Sequence, residues 1–254
     1  MDTLLIILPA VLFGICLSFL AIPLGLKVIK KGIIFLDIAI AQMAVLGSMI
    51  AEHIFEGVDD GNVYLVKTFS VCFSMLGSCF FYILNKKFNN FKSFESIIGI
   101  TYVFMATICS LLLSIFHASF DSIEQIFAGK LLFLTYKELL QVGIIYLILG
   151  IFIYATSLLS KDFIFYMVFA VVVSLAMPIV GIYFMFSILI IPALLFEKNK
   201  YNVFFGILFS VCVVVLGSLY SLYKDYPSGL IIVIFYVFCG GLVYFFRKSN
   251  LLYF

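Results

Sequence analysis

The chain has 254 residues, of which 65% are hydrophobic and only 11% are charged. Soluble domains carry about 25% charged residues, so this composition excludes an ordinary soluble protein. The formal net charge of +2 is too small to indicate a nucleic-acid partner, and none is expected. No segment is long or polar enough to fold separately, so residues 1–254 are predicted to form a single transmembrane domain.

Apolar segments of about 20 residues, the length of a helix that crosses the hydrocarbon core, recur along the chain. They predict an all-α, polytopic integral membrane protein with nine spans: Leu4–Pro23, Ile33–Ala51, Val63–Leu84, Ile97–Phe116, Leu139–Leu159, Phe163–Ile179, Ile182–Phe196, Val203–Leu222 and Leu230–Phe246. Only Pro178 and Gly181 separate the short sixth and seventh spans. These two form either a tight hairpin or one long, broken helix, so the prediction is eight to nine spans. Broken helices in transporters often mark a site or gate, although a packing kink gives the same pattern.

Basic residues divide unevenly between the two predicted sides of the membrane. With the N-terminus outside and the C-terminus inside, eleven Lys and Arg residues fall in inner segments and four in outer segments. Nine of the acidic residues fall outside, three lie in or beside inner loops, and Asp37 lies within a span. Cytoplasmic loops are enriched in basic residues, so this orientation is predicted. The opening residues MDTLL lack the basic region of a signal peptide, so the first span is predicted to be retained.

Catalytic signatures are sparse in this sequence. It contains two histidines, His53 and His117, and neither an HExxH nor a GxSxG motif. A glycine-rich phosphate loop is missing too, so the chain is not expected to hydrolyse ATP by itself. The six cysteines all fall within predicted spans and form no CxxC pair, which indicates packing residues. We therefore predict that the chain is not an enzyme.

Two polar residues, Asp37 and Gln42, lie within the second predicted span. A carboxylate inside a membrane span is costly and commonly marks an ion path. Alternatively, Asp37 occupies the first turns of a helix, where the helix dipole favours a negative charge. For Gln42, a hydrogen bond between helices is as good an interpretation as contact with a metal ion.

Four sequence blocks, in this order, resemble the permease subunit of bacterial ABC-type divalent-metal uptake systems, the zinc, manganese and iron importers. The blocks are PLGLKVIKKGIIFLDIAIAQMAVLG from Pro23, ESIIGITYVF from Glu95, IEQIFAGKLLFLTYKEL from Ile123, and VGIYFMFSILIIPALLF from Val180 followed by DYPSGLIIV from Asp225. The third block looks like the family's short helix with a Gly-x-Leu/Ile-Leu turn. Any one apolar block is weak support, but the shared order extends over most of the chain.

The resemblance implies a translocation path formed by two copies of this chain, or by this chain and a second permease. It also implies cytoplasmic ATP-binding subunits, an extracytoplasmic metal-binding protein and a location in the bacterial cytoplasmic membrane. The divalent metal ion would be cargo, and no cofactor bound by this chain is implied. Two other classes remain open from the sequence: an ATP-independent carrier or channel for a small solute, and an intramembrane enzyme.

The sequence departs from the family pattern at two places. Most members have Asp and His four residues apart in the second span, and these positions correspond here to Ile38 and Gln42. Asp37 and Gln42 are five residues apart, about 140° around a helix, and match a branch with Asp-x-Ala-x-Ala-Gln. The metal is then either held differently or passes without a tight intramembrane site. The inner segment around Lys161 is also very short, which leaves the loop at 85–96 either to contact the ATPase or to face lipid headgroups.

Two polar clusters are predicted at the outer side. The first contains Glu52, His53 and Glu56, and the second contains His117, Asp121 and Glu124. Imidazole and carboxylate groups suit zinc, manganese or iron, so His53, His117, Asp121 and Glu124 join Asp37 and Gln42 as candidate metal-path residues. Solvated loops, or a docking surface for a binding protein, would explain the same residues without a metal.

Overall fold

The computed structural model describes residues 2–55, 62–87, 91–116, 128–155, 161–197 and 202–251. These residues form eight α-helices and one 3-10 turn, Leu131–Phe133. The helices are α1 (Asp2–Lys31), α2 (Leu36–Ile54), α3 (Asn62–Lys87), α4 (Phe91–Ile115), α5 (Tyr136–Ala155), α6 (Asp162–Phe196), α7 (Asn202–Lys224) and α8 (Ser228–Leu251). Each is long and apolar enough to cross a membrane, so the prediction of an all-α, multi-pass membrane protein is confirmed.

Several helices extend beyond the predicted spans. The first predicted span ended at Pro23, whereas α1 continues to Lys31 and includes the three lysines that were predicted to lie in a loop. Similarly, the predicted inner loop at 85–96 is helical except for residues 88–90, which lie outside the described residues. Hydropathy detects only the apolar part of a helix, and long Lys side chains allow a helix to continue beyond the hydrocarbon core.

A glycine cap ends α1 and sets the start of α2. Gly32 has a φ of 64°. Its N–H donates to the carbonyl of Ile29 at 3.0 Å, and the Ile33 N–H donates to the carbonyl of Val28 at 3.2 Å. Together these two bonds form a Schellman motif, which favours glycine at the left-handed position. The tight connection that follows places Asp37 in the first turn of α2.

Helix α6 reverses direction at Gly181. Its 35 residues are assigned to one helix, but Gly181 has φ 77° and ψ 164°, which are not helical values. Both halves of α6 contact the C-terminal part of α1: Asp162 contacts Lys31, and the carbonyl of Leu189 lies against Gly25. A straight helix would separate Asp162 from Leu189 by roughly 40 Å. The two halves of α6 therefore form a hairpin.

The hairpin reconciles the two predicted span counts. Residues 162–180 run away from the end of α1, and residues 182–196 run back toward it. The described residues therefore form eight helices, but α6 crosses the bundle twice, which gives nine passes. The returning half packs on α8, where Ile191 lies against Gly240. The first half packs on α3, where the Ser78 hydroxyl donates to the Tyr166 carbonyl at 2.8 Å. Helix α6 is also the most buried of the spans, so it forms the centre of the bundle.

The two ends of the bundle differ in charge. At the lysine-rich end, α1 and α3 end in lysines and Lys161 precedes α6. At the other end, called here the hairpin end, Gly181 lies beside Gly129, and the preceding Pro178 and Ile179 line a cavity with charged residues of both signs, namely Glu52, Lys67, Lys130 and Glu138. The structure thus groups these residues as the predicted topology does. That the lysine-rich end faces the cytoplasm stays a prediction.

A small ion-pair cluster joins α1 to α6 at the lysine-rich end. The Lys31 ammonium lies 2.8 Å from the Asp162 carboxylate, and that of Lys27 lies 3.8 Å away. Lys27 also lies over the Phe165 ring, 4.6 Å from its centroid. Asp162 is about half exposed, so these pairs contribute little stability, on the order of 0–1 kcal/mol. Their main consequence is to hold the start of α6 beside the end of α1.

Candidate functional site

Asp37 is buried in the first turn of α2. Its exposed fraction is 2%, and its Oδ1 atom has no hydrogen-bond partner within the described structure. A buried polar atom without a partner costs free energy and usually has a functional reason. The first-turn position also agrees with the alternative role at the positive end of the helix dipole. The structure therefore keeps both interpretations of Asp37, and the unpartnered oxygen favours the ion path.

Gln42 lies further along α2, where this helix contacts α4. It is 4% exposed, and the Cys109 thiol of α4 lies 3.7 Å from its backbone oxygen. Because α2 is a continuous helix, Asp37 and Gln42 are separated by about 140° and roughly 7.5 Å along the axis. The two residues therefore point to different neighbours rather than forming one two-ligand site on a single helix face.

Of the remaining predicted site residues, the structure describes only His53, which lies at the hairpin end. His53 is exposed in the last turn of α2, roughly 24 Å along the helix axis from Asp37. Its ring stacks on that of Phe116, with centroids 4.0 Å apart and planes 16° apart. Three predicted residues, His117, Asp121 and Glu124, lie outside the described residues, as does Glu56. The stacking places the ends of α2 and α4 side by side.

The candidate residues that the structure describes, Asp37, Gln42 and His53, do not meet in one metal centre. In the described ranges, no three His, Cys, Asp or Glu side chains form a group that could hold a metal ion. Asp37 and His53 occupy opposite ends of the same helix. Among the described candidates, Asp37 and Gln42 are therefore buried toward the lysine-rich end, whereas His53 is exposed at the hairpin end.

A cavity of about 370 Å³ lies at the hairpin end between α2, α3, α5 and α6. Charged residues of both signs line it: Glu52, Lys67, Lys130 and Glu138. Three serines and five apolar residues complete the lining: Ser48, Ser70, Ser174, Val66, Val142, Leu175, Pro178 and Ile179. Ser70 and Ser174 are buried, whereas Glu52 and Lys130 are exposed. The cavity thus has a charged rim, exposed at Glu52 and Lys130 and half-buried at Lys67 and Glu138, and a buried hydroxyl-bearing floor.

Glu138 is fixed at the start of α5 by a capping box. Its Oε2 accepts hydrogen bonds from the Thr135 N–H at 3.1 Å and the Thr135 hydroxyl at 3.0 Å. In return, the Glu138 N–H donates to the Thr135 hydroxyl at 3.3 Å. This reciprocal pattern is typical of Thr-x-x-Glu at a helix start. One carboxylate oxygen is thereby engaged, and the side chain is held at the cavity.

The α6 hairpin supplies one wall of the cavity. Pro178 has no N–H, so the carbonyl of Ser174, four residues earlier, lacks its helical partner. A carbonyl freed in this way is tolerated in a membrane protein where it faces protein or a watery cavity. Both residues line the cavity. The break at Pro178 and Gly181, seen in the sequence as a possible gate or kink, therefore borders a polar cavity.

Lys130 is positioned by the same hairpin. Its backbone N–H donates to the carbonyl of Ile179 at 2.9 Å. The preceding Gly129 has a φ of 70° and lies against the backbone of Val180 and Gly181. This turn is the described part of the Gly-x-Leu/Ile-Leu block, and it leads into the 3-10 turn Leu131–Phe133. A close backbone contact therefore sets the place of Lys130 at the cavity rim.

Sequence reasoning identified part of this cavity. Glu52 was in the outer cluster, and Pro178 marked the broken helix. Lys67, Lys130 and Glu138 were not singled out, because each lies on a different segment and no local pattern relates them. One local signal was present, the Thr-x-x-Glu sequence at Thr135, which predicts a helix start but not a shared cavity.

Comparison with known proteins identifies the fold and the family resemblance. Residues 155–246 match the ABC 3 transport family. The structure resembles PsaBC from Streptococcus pneumoniae, solved in complex with a Fab, with a TM-score of 0.72 and 20% identity over 96% of this chain and 93% of that chain. It also resembles a protein assigned as a metal-chelate type ABC transporter, in an inward-facing conformation, with a TM-score of 0.68 and 15% identity over 94% of this chain and 85% of the other. No curated protein matches the sequence. The predicted resemblance is confirmed, and the chain has the fold of an ABC-transporter permease.

Proposed function

We propose that this chain, an ABC-type permease by its fold and by the match of residues 155–246, is the membrane subunit of an ATP-driven importer of divalent transition-metal ions. The observation that carries the proposal is that nearly the whole chain shares the permease fold, while its C-terminal part matches a transport family. The transported ion would be zinc, manganese or iron. It would be cargo, and the chain would bind no cofactor of its own.

The proposed assembly follows from this role. Two copies of the chain, or one copy and a second permease, would form the translocation path. Cytoplasmic ATP-binding subunits would dock at the lysine-rich end, and an extracytoplasmic metal-binding protein would deliver the ion to the hairpin end. ATP hydrolysis would take place in the partner subunits, so the chain itself would have no catalytic site. This arrangement places the chain in the bacterial cytoplasmic membrane with its N-terminus outside.

The two groups of candidate residues suit successive positions on the path. The rim of the hairpin end would receive the ion, with His53 at the end of α2. The sequence prediction adds His117, Asp121 and Glu124, which lie outside the described residues. Asp37, buried nearer the lysine-rich end, would offer a carboxylate to the ion deeper in the membrane. A permanently unpartnered carboxylate oxygen is unfavourable, whereas an oxygen that transiently binds a cation has a reason to be there. Gln42 would contribute to the contact between α2 and α4 or to the path.

Metal uptake by cells tests this proposal. Cells that express the chain with and without its ATP-binding subunit are supplied with zinc, manganese and iron, and the cell content of each metal is measured by elemental analysis. We expect accumulation of one of these metals only when both subunits are present. Accumulation that does not depend on the ATP-binding subunit would indicate a carrier or channel. No accumulation of any of the three metals, with both proteins in the membrane, would overturn the metal-importer proposal.

A further inference from the structure

The cavity at the hairpin end contains two carboxylates and two ammonium groups that do not pair with one another. No salt bridge within 4.0 Å joins Glu52 or Glu138 to Lys67 or Lys130, all four of which the structure describes. The groups are nevertheless close enough for Lys130 to interact electrostatically with both glutamates, and for Lys67 to interact with Glu138. Because these carboxylates and ammonium groups line one cavity without forming ion pairs, the space between them is bordered by both negative and positive groups.

The positions of these charged groups are set by the backbone around them. The capping box holds Glu138, and the hydrogen bond to Ile179 holds the backbone of Lys130. Beside the cavity, the Gln141 amide donates to the Tyr64 hydroxyl at 3.0 Å, which ties α5 to α3. Tyr64 lies one turn before Lys67, and Gln141 lies one turn after Glu138. Contacts from several elements therefore hold the charged residues apart, as expected of a pre-organised binding site.

The chemistry of the cavity limits what fits in it. A bare divalent ion would be attracted by Glu52 and Glu138 but repelled by Lys67 and Lys130. A simple organic anion would satisfy the lysines and be repelled by the glutamates. The volume of about 370 Å³ falls in the range of small-molecule sites, about 300–1,000 Å³. A ligand of that size with both a cationic centre and carboxylate groups would match every charge on the rim.

We propose that this cavity binds a divalent metal ion still held by a small carboxylate ligand such as citrate. Lys67 and Lys130 pair with the carboxylates of the ligand, and Glu52 and Glu138 face the metal. Ser70 and Ser174 are buried at the floor, where the Ser174 hydroxyl donates to the Val171 carbonyl at 3.2 Å and keeps its capacity to accept a hydrogen bond from the ligand. This inference rests on the proposed function, which it deepens by naming the form in which the metal reaches the chain.

Transport of two forms of the metal tests the inference. The chain is reconstituted in liposomes with its ATP-binding subunit and the extracytoplasmic metal-binding protein, and zinc and manganese are each supplied alone and with excess citrate. The measured quantity is the ratio of the half-saturating concentration of the citrate complex to that of the metal alone. The test variant combines Lys67→Ala with Lys130→Ala. The control combines Lys137→Ala with Lys224→Ala, which removes the same charge from the same end of the bundle but away from the cavity.

We expect the wild type and the control to take up the citrate complex, and to show the same ratio of half-saturating concentrations. In the test variant the ratio should rise by about tenfold or more, because two charge-assisted contacts to the carboxylates are lost. An unchanged ratio in the test variant would overturn the inference, as would a wild type that imports the free ion and rejects the citrate complex. In both cases the proposed function would stand. If neither form enters in the presence of ATP, the proposed function and the inference fail together.

Discussion

Asp37→Asn is expected to reduce metal uptake by roughly tenfold or more, while the protein still inserts into the membrane and assembles. Asparagine keeps the size and shape of the side chain but removes the charge that would interact with the cation. Asp37 is buried and has an oxygen without a hydrogen-bond partner, so the loss of its charge should not weaken the fold. Uptake in cells and the thermal unfolding of the purified protein measure the two expectations separately.

The same pair of measurements distinguishes the two roles of Asp37. If the carboxylate only favours the start of α2, its replacement should lower stability by about 0.3–1 kcal/mol and leave uptake normal. Glu95→Gln serves as a control, because it removes a carboxylate near the start of α4, at the lysine-rich end, that is not among the proposed path residues. Wild-type uptake by the Asp37→Asn variant would leave Asp37 as a structural residue.

Gly129→Ala and Gly229→Ala are expected to prevent formation of the native bundle. A Cβ atom at Gly129 would lie 2.7 Å from the Ile179 carbonyl oxygen, and the backbone there has a φ of 70°. A Cβ atom at Gly229 would collide with the Ala128 carbonyl oxygen and lie 3.1 Å from that of Val180. These neighbours are backbone atoms that cannot rotate away. Overpacking and the left-handed conformation together should cost on the order of 2–6 kcal/mol for Gly129→Ala.

The yield of monodisperse protein in detergent and its thermal unfolding temperature measure this effect. Gly99→Ala and Gly143→Ala are matched controls, because a Cβ at either position meets no other atom within 4 Å. Alanine is also the better helix former by about 1 kcal/mol, so the controls should be at least as stable as the wild type. Normal folding of both test variants would contradict the close packing of Gly129 and Gly229 on the α6 hairpin.

The membrane class and the segregation of charge were predictable from composition and hydropathy, whereas the path of the chain at Gly181 was not. Proline and glycine mark a break, but local sequence does not say whether the chain bends slightly or reverses. The reversal depends on contacts far away in the sequence, of Asp162 with Lys31 and of Leu189 with Gly25. The sequence therefore left eight and nine spans open, and the tertiary contacts decide between one long helix and a hairpin.

The candidate site was predictable only where a single residue stands out from its surroundings. Asp37 was identified because a carboxylate is rare within an apolar helix. The cavity was missed as a unit, since Glu52, Lys67, Lys130 and Glu138 come from four separate segments. Each of them alone has the appearance of an ordinary polar residue at a helix end. Their relation follows from the packing of α2, α3 and α5 around the α6 hairpin.

The measurement that tests the central claim most directly is metal import into liposomes by the purified chain together with its ATP-binding subunits and the extracytoplasmic metal-binding protein. The account predicts that zinc, manganese or iron accumulates with ATP, that ADP supports no accumulation, and that the chain alone is inactive. Import by the chain alone, driven only by the metal gradient, would contradict the claim and indicate a carrier or channel. The absence of ATP-dependent import by a folded, complete assembly would contradict it as well.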